Sequence, residues 1–220
     1  MDIFDILGPI MVGPSSSHTA GAVRIGNVGY HLLGEPVAEA IITLHGSFAS
    51  TGKGHGTDRA LLSGLMDMKP DDPRIPDAFE EAKKHGMVYR FQNDDLGEVH
   101  PNTARLVLKG KSGGRLEMEA CSVGGGRIRV RRVHGLAVDF SGERPTMVLP
   151  HTDRPGVVAK VTDQLAAEGI NIAAMQVFRG SRGGLAIMVI ETDQLVSEEV
   201  RGRLLARCGV ESVTYLGESE

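Results

Sequence analysis

The chain of 220 residues has no tryptophan, only two cysteines and no excess of positive charge. Cys121 and Cys208 are too few for a scaffold held by disulfides, and such sparse use is typical of a reducing compartment. We therefore expect a cytoplasmic protein. A cubane iron–sulfur cluster takes about four cysteine ligands, so any such cluster would need another chain.

Charge and hydropathy argue against two classes of partner. A formal net charge of −4 is unfavourable for binding nucleic acid, because phosphate contacts require clustered positive charge. No run of about 18 uninterrupted apolar residues occurs, so we expect no membrane-spanning segment. The N-terminus has no lysine or arginine before Arg24, and Gly8 and Pro9 interrupt its apolar stretch, so we expect no secretory signal peptide.

Glycine is abundant, with 29 residues, and 41% of the chain is hydrophobic. This composition indicates a turn-rich protein with a sizeable core. Residues 139–146, which include Gly142 and Pro145, have the chemistry of a linker and separate two strand-like runs. We therefore predict two domains, residues 1–140 and residues 146–220.

The second domain has the pattern of a ferredoxin-like sandwich. Apolar residues recur at helical spacing after Val157 until Gly169, and Ser197 stands where it would cap a second helix. A connection that contains glycine joins the two central strands, which we expect to be antiparallel. The predicted strands are residues 147–149, 170–178, 185–192 and 210–216. The resulting βαββαβ order is that of a ferredoxin-like fold.

The first domain also mixes helices and strands, so we assign the whole chain to the α+β class. The predicted helices are residues 17–33, 57–68 and 76–85, and the predicted strands are residues 38–45, 87–91, 103–109, 115–122 and 127–133. Gly34 stands where it would end the first helix. Two of these helices follow unusual polar loops, which carry the residues of chemical interest.

The first loop, residues 13–19, reads Gly-Pro-Ser-Ser-Ser-His-Thr and precedes a helix. Its hydroxyl groups, the His18 imidazole and the unpaired N–H groups of a helix start favour a bound anion such as a carboxylate. The alternative is that Ser17 or Thr19 is an ordinary N-cap and the other serines are solvated. Capping alone does not require three serines and a histidine.

The second loop, residues 52–58, reads Gly-Lys-Gly-His-Gly-Thr-Asp and leads into another helix. We predict that Thr57 or Asp58 caps this helix and that the glycines let a ligand approach the backbone. A nucleotide-binding P-loop is excluded, because Lys53 is followed by glycine instead of serine or threonine. His55 is either an acid–base group over a substrate or an exposed loop histidine.

A third motif, His100-Pro101-Asn102, precedes a predicted strand. Proline restricts the residue before it to extended geometry, which would aim the His100 ring reproducibly. Ordinary turn chemistry explains the same residues. The chain has eight histidines, yet no pair stands at HExxH spacing and thiolates are scarce, so we predict no metal site formed by this chain alone.

In the second domain, the loop of residues 153–157 and the later Asn171 resemble an ACT domain, a regulatory module that binds small molecules. The resemblance implies self-association through this domain and a regulatory ligand. A simpler interpretation is that Asp153 and Pro155 only begin a helix. The residues that the resemblance implicates are Asp153, Arg154, Pro155, Gly156, Val157 and Asn171.

Taken together, residues 13–19, 54–58 and 100–102, followed by an ACT-like segment, closely resemble the β chain of the iron–sulfur L-serine dehydratases, or L-serine ammonia-lyases. The resemblance implies that the first domain is similar to the allosteric substrate-binding domain of phosphoglycerate dehydrogenases. It also implies an α chain as partner, with a 4Fe-4S cluster on the cysteines of that chain. The implied reaction converts L-serine to pyruvate and ammonia.

The resemblance also suggests roles for individual residues. His18 and His55 become catalytic candidates, and which of them is the base stays open. The residues implicated in binding the substrate are Ser15, Ser16, Ser17, Thr19, Thr57, Asp58, His100 and Asn102. The competing hypothesis is a non-catalytic regulatory protein that senses serine.

Overall fold

The computed structural model describes residues 10–217. The chain divides into two compact units between Gly135 and Leu136. The predicted linker, residues 139–146, lies shortly after this division. Gly8 and Pro9, which bear on the expected absence of a signal peptide, lie outside the described residues.

The first unit is a mixed sheet with helices against it. Its helices are α1 (Gly21–Leu33), α2 (Gly46–His55), α3 (Thr57–Leu65) and α4 (Ala78–Lys84), and its strands are β1 (Val37–Leu44), β2 (Val88–Asn93), β3 (Thr103–Gly110), β4 (Arg115–Gly124) and β5 (Arg127–Val133). Within this unit the strands are ordered β2-β1-β3-β4-β5, with only the β1–β2 pair parallel. The strands predicted from the sequence are thereby confirmed.

The sheet presents alternate residues to the helices, as the twofold period of a strand requires. Ala40, Ile42 and Leu44 of β1 are buried, and so are Leu106 and Leu108 of β3. The α1 helix packs over β3 and β4 and contacts α3 along its length. The core of this unit therefore lies between one face of the sheet and the α1–α3 pair.

Two glycines bring α1 and α3 unusually close together. A side chain on Gly64 would clash with the backbone carbonyl of Val23, and one on Gly26 would clash with the backbone of α3. The Asn27 amide donates across the same crossing to the carbonyl oxygens of Gly64, at 3.2 Å, and Met68, at 3.1 Å. This crossing fixes the helix that follows the first polar loop against the helix that follows the second.

The prediction of a loop at residues 52–58 is wrong, because most of this segment belongs to α2. The helix ends at His55, where Gly56 adopts a left-handed conformation with φ 68° and leads directly into α3. Gly52 and Gly54 are poor helix formers. Their low propensity is the reason that the sequence did not indicate a helix here. The predicted helix at residues 76–85 begins as a 3₁₀ turn, Ile75–Asp77, before α4.

The second unit confirms the predicted βαββαβ fold. After β6 (Leu136–Phe140) come β7 (Thr146–Thr152), α5 (Val157–Ala167), β8 (Ile172–Arg179), β9 (Leu185–Thr192), α6 (Glu198–Arg207) and β10 (Thr214–Leu216). The strands form an antiparallel sheet in the order β10-β7-β9-β8. The predicted last strand, residues 210–216, is shorter than expected, and Val210 makes only an isolated bridge to His151.

The helices of this unit cover one face of its sheet. Leu149, Met188 and Ile190 of the strands pack in one cluster with Val161 and Leu204 of the helices. Ser197 caps α6 as predicted, since its hydroxyl accepts a hydrogen bond from the N–H of Val200. Across residues 10–217, none of the helices has the length and apolar character needed to cross a membrane.

Candidate functional site

The first polar loop folds into a single π-helical turn, Ser16–Ala20, that places the His18 ring against α2. Ser15 is the N-cap of this turn, and its Oγ accepts a hydrogen bond from the N–H of His18 at 3.2 Å. The alternative that Ser17 or Thr19 is an ordinary N-cap is therefore wrong. The extra π-helical turn before α1 moves the cap upstream to Ser15.

Hydroxyl groups contact both nitrogens of the His18 ring. Ser17 Oγ lies 3.1 Å from Nδ1, and Ser47 Oγ and Thr51 Oγ1 lie 3.1 Å and 3.0 Å from Nε2. Phe48 of α2 packs edge-on against the same ring, with the centroids 5.3 Å apart. The first loop is thereby joined to the N-terminal half of α2.

The second loop contributes His55, the last residue of α2. Its ring centroid lies 5.0 Å from that of His18, and the two ring planes are inclined by 46°. The Thr19 hydroxyl donates to the His55 carbonyl at 3.2 Å, which ties the π-helical turn to the end of α2. Nδ1 of His55 is buried and has no hydrogen-bond partner among the described residues. His55 is therefore a half-buried helical residue, and the alternative of an exposed loop histidine is wrong.

The surroundings of His18 favour its neutral form. Burial lowers the pKa of His18 below its usual value, the nearby His55 lowers it further, and a hydrogen bond that the ring donates to the Ser47 backbone carbonyl partly offsets both effects. Burial has this effect because a charged imidazolium loses hydration that the protein replaces incompletely. At neutral pH the His18 ring therefore carries one proton, on one of its two nitrogens.

The third motif packs against the start of α2. The Pro101 carbonyl accepts hydrogen bonds from the N–H groups of Ser47, at 2.8 Å, and Phe48, at 3.4 Å. Nδ1 of His100 accepts from the N–H of Asn102 at 3.1 Å, so this turn also fixes its own histidine. Oδ1 of Asn102 is buried without a hydrogen-bond partner within residues 10–217. The third motif thus lies at the start of α2, and the second motif forms the end of the same helix.

The remaining predicted residues of this site behave differently from one another. Thr57 is fully buried and its hydroxyl is unpartnered in the part of the chain described, whereas Asp58 accepts from the N–H of Arg59. Neither caps α3, because Gly56 is the N-cap and no side chain fulfils that role. The Ser16 carbonyl accepts from the N–H at the start of α1, and its side chain is half-buried.

Sequence reasoning missed Ser47 and Thr51. Both lie on α2 at intervals of four residues from His55, so all three share one face of the helix. This spacing is visible in the sequence. The spacing indicates a shared face only once residues 46–55 are known to form a helix.

The donor set of this chain does not fit a four-iron cluster. Cys121 and Cys208 are both buried, outside any disulfide, and belong to different units. Within residues 10–217, no group of three or more His, Cys, Asp or Glu side chains is arranged to hold a metal ion. A cluster of about four cysteine ligands would have to be held by another chain.

In the second unit, the residues implicated by the ACT resemblance occupy two separate places. Asp153 accepts from Arg179 Nη1 at 3.0 Å and from the N–H of Gly183 at 3.2 Å, at the end of β7. Asn171 donates to Asp193 at 2.6 Å at the start of β8. Because β7 and β8 both run antiparallel to β9, these places lie at opposite ends of the sheet. They are separated by the length of the eight-residue strand β9, about 25 Å.

The loop after β7 also differs from the simpler interpretation, in which Asp153 and Pro155 only begin a helix. Arg154 and Pro155 are exposed, and Val157 is buried in the core as the first residue of α5. Gly156, with φ 90°, is the N-cap of this helix, which has no capping side chain. The interpretation of Asp153 as cap is therefore wrong, since its carboxylate is bound to the β8–β9 hairpin instead.

Comparison with known families matches both units. A family described as "Serine dehydratase beta chain" matches residues 2–132, and a family described as "ACT domain" matches residues 151–209. The chain is 40% identical to the "Probable L-serine dehydratase, beta chain" of Bacillus subtilis, over 98% of each chain. It is 38% identical to the "L-serine dehydratase, beta chain" of Peptoniphilus asaccharolyticus, over 96% of this chain and 94% of that one.

A third relative bears on the fold of the first domain. The D-3-phosphoglycerate dehydrogenase of Bacillus subtilis is 26% identical over 81% of this chain, which corresponds to 34% of the dehydrogenase. These matches confirm the resemblance and the α+β fold class stated from the sequence. The chain belongs to the serine dehydratase beta-chain family, with an ACT domain in its second unit.

Proposed function

We propose that this chain is the β subunit of an L-serine ammonia-lyase and forms the active site together with an α chain. The observation that carries the proposal is the pairing of His18 and His55, which come from two different polar motifs and lie with ring centroids 5.0 Å apart. Two relatives that are 40% and 38% identical to the chain are named "Probable L-serine dehydratase, beta chain" and "L-serine dehydratase, beta chain". A protein of this kind acts in the cytoplasm, which accords with two buried cysteines outside any disulfide.

The reaction removes the Cα proton of L-serine and expels its hydroxyl group as water. The aminoacrylate product then tautomerises and is hydrolysed to pyruvate and ammonia. When bound in the complete enzyme, a 4Fe-4S cluster on the α chain supplies Lewis acidity toward the substrate hydroxyl, a poor leaving group. The residues of this chain bind the substrate, orient it and move the proton.

His55 is the better placed of the two histidines to take the Cα proton. Both nitrogens of His18 lie within hydrogen-bond distance of hydroxyl groups of this chain. His55 Nδ1 has no such partner among the described residues. A general base must reach the proton that it removes. Both nitrogens of His18 are engaged by hydroxyl groups, which leaves His55 as the candidate base.

The first loop binds the substrate carboxylate. Ser15, Ser16 and Ser17 lie at the start of a helical turn, where backbone N–H groups and the helix dipole favour an anion. The Thr19 hydroxyl donates to the His55 carbonyl, so Thr19 contributes by fixing the end of α2. His100, Asn102, Thr57 and Asp58 complete the surroundings of the site.

The test is the activity of the two-chain enzyme, mixed anaerobically from this chain and its cysteine-rich α chain. His55→Ala is expected to lower kcat/KM for L-serine by about 100-fold or more, and Ser16→Ala is expected to raise KM. His31→Ala, outside all three motifs, is the matched control. Near-normal catalytic efficiency in both site variants would contradict the assignment. Serine binding without turnover in the mixture would favour the regulatory alternative.

The ACT domain is proposed to pair with that of a second copy. Asp153 and Asn171 lie at opposite ends of the sheet, so one ligand can contact both sets of residues only if two copies meet. Strand β8 supplies a surface for such pairing, since it bonds to β9 on one side and lies at the edge of the sheet. Residues 172–178 of this strand carry no charged side chain, whereas edge strands that avoid pairing are commonly charged.

A further inference from the structure

Thr51 contacts one nitrogen of the His18 ring with a hydroxyl group whose proton is already engaged. Its Oγ1 lies 3.0 Å from Nε2 of His18 and 2.8 Å from the backbone carbonyl oxygen of Ser47. A carbonyl oxygen can only accept a hydrogen bond, and a hydroxyl group has one proton to donate. In the shorter contact, therefore, the Thr51 proton goes to the Ser47 carbonyl.

The donation of the Thr51 proton to the Ser47 carbonyl determines the direction of the other hydrogen bonds around the His18 ring. Thr51 Oγ1 faces Nε2 as an acceptor, so Nε2 carries the hydrogen, and Ser47 Oγ at 3.1 Å can share it. Nδ1 is then the acceptor of the neutral ring and receives the hydroxyl proton of Ser17 at 3.1 Å. The Ser15 hydroxyl, 3.3 Å from that of Ser17, donates in the same direction. Every contact around the ring is satisfied in this arrangement.

The other protonation states fit less well. With the hydrogen on Nδ1, the Ser47 hydroxyl could donate to Nε2, but the lone pair of Nε2 would still face the lone pairs of Thr51 Oγ1 at 3.0 Å. A doubly protonated ring is opposed by burial and by the neighbouring His55, which together lower the pKa of His18. The neutral ring with hydrogen on Nε2 is the state that the surroundings select.

We propose that Thr51 is a positioning residue of the dehydratase site, which fixes the neutral His18 ring in its Nε2–H tautomer by accepting that hydrogen. This inference rests on the proposed function, because His18 is the neighbour of the proposed base. A fixed neutral ring at this position keeps positive charge away from His55 while His55 takes up a proton. A mobile or charged His18 would oppose that step.

The tautomer can be measured in the full chain without its partner. In protein labelled with ¹⁵N-histidine, long-range ¹H–¹⁵N correlation spectra distinguish a protonated Nε2 from a protonated Nδ1. We expect the Nε2–H form for His18 in the unaltered chain and in Thr51→Ser, which keeps the hydroxyl. Thr51→Val has the same shape but cannot accept the hydrogen, so we expect its population to shift toward the Nδ1–H form.

Ser50→Ala is the matched control, because the Ser50 hydroxyl also donates to the Ser47 carbonyl, at 3.4 Å. It should leave the tautomer unchanged. In the two-chain enzyme, Thr51→Val is expected to lower kcat by about tenfold or more, whereas Thr51→Ser and Ser50→Ala stay close to the unaltered rate.

An unchanged Nε2–H population in Thr51→Val would overturn the inference, as would an Nδ1–H tautomer in the unaltered chain. The spectra require neither the α chain nor turnover. A mixture of unaltered chains that does not deaminate serine would therefore count against the proposed function alone, while the tautomer shift would still support the role of Thr51 in holding the ring.

Discussion

His18 and His55 lie with ring centroids 5.0 Å apart, although one precedes α1 and the other ends α2. Their approach depends on the close crossing of α1 with α3, since each histidine lies directly upstream of one of these helices. The Thr19 hydroxyl adds a direct bond from the π-helical turn to the His55 carbonyl. The two rings are therefore positioned by the packing of the helix pair as well as by their own contacts.

Replacing His55 should raise the pKa of His18. Burial is the largest cause of the lowered pKa, and the charge of His55 is the second. His55→Gln removes only the second cause, so the pKa of His18 should rise and still remain below its ordinary value. The measurement is an NMR titration of the His18 ring protons in both proteins. An unchanged pKa in the variant would show that the two rings do not interact electrostatically.

The stability of the first unit should depend on pH through His18. Its pKa is lower in the folded chain than in the unfolded one, so the unfolded state binds more protons between the two values. The free energy of unfolding therefore falls as the pH drops below about 6.5, until the folded pKa is passed. In urea unfolding at about pH 7 and about pH 5, His18→Gln should lose less stability than the unaltered chain. Equal losses in both proteins would contradict the shift.

The elements that local chemistry defines were predictable from the sequence. Gly34 ends α1 with a left-handed φ of 74°, and Ser197 caps α6, both as the residue types indicate. The apolar run of residues 185–190, which follows a connection that contains glycine, gave the bounds of β9 correctly. In these segments the residues that start and stop an element are neighbours of the element in the sequence.

The α2 helix could not be predicted in this way. Its glycines argue against a helix, and its first N–H groups are satisfied by Pro101, a residue far along the chain. The same long-range contact places Ser47 and Thr51 against His18. The histidines and serines of the candidate site were therefore identified from their motifs, whereas the residues that hold them in place required the tertiary structure.

Gly64→Ala should destabilise the protein. The new methyl group would clash with the Val23 carbonyl, which belongs to the backbone of α1 and cannot rotate away. Overpacking of this kind costs about 1–3 kcal/mol, more than the gain of about 1 kcal/mol in helix propensity. The free energy of unfolding, measured by urea denaturation, should therefore decrease, and the separation of the His18 and His55 rings should change with it.

Gly202→Ala is the control for this substitution and should have the opposite effect. Gly202 lies within α6, and no atom would contact an added methyl group there. The substitution then changes only the helix propensity, which is higher for alanine than for glycine. We therefore expect a stabilisation of about 0.5–1 kcal/mol in the second unit. Similar destabilisation by both substitutions would show that the α1–α3 crossing is not the cause.

Pairing of two copies through β8 should be sensitive to charge on this strand. Val177 is 41% exposed at the sheet edge, and Val177→Glu would bury a carboxylate in the proposed interface. Light scattering after size exclusion should show a decrease in oligomer mass. Leu205→Glu is the control, since Leu205 on α6 is 49% exposed and lies outside that strand. An oligomer unaffected by Val177→Glu would place the contact elsewhere.

Asp153 should stabilise the β8–β9 hairpin mainly through the backbone of Gly183. The hydrogen bond from the Gly183 N–H is the largest cause of the lowered pKa of Asp153, and the Arg179 guanidinium is the second. Asp153→Ala removes both interactions, whereas Arg179→Ala leaves the backbone bond in place. Amide hydrogen exchange at Gly183 should therefore accelerate strongly in Asp153→Ala and only slightly in Arg179→Ala. Because exposed ion pairs contribute little to stability, equal acceleration in both variants would mean that Arg179 orients the carboxylate for the backbone bond.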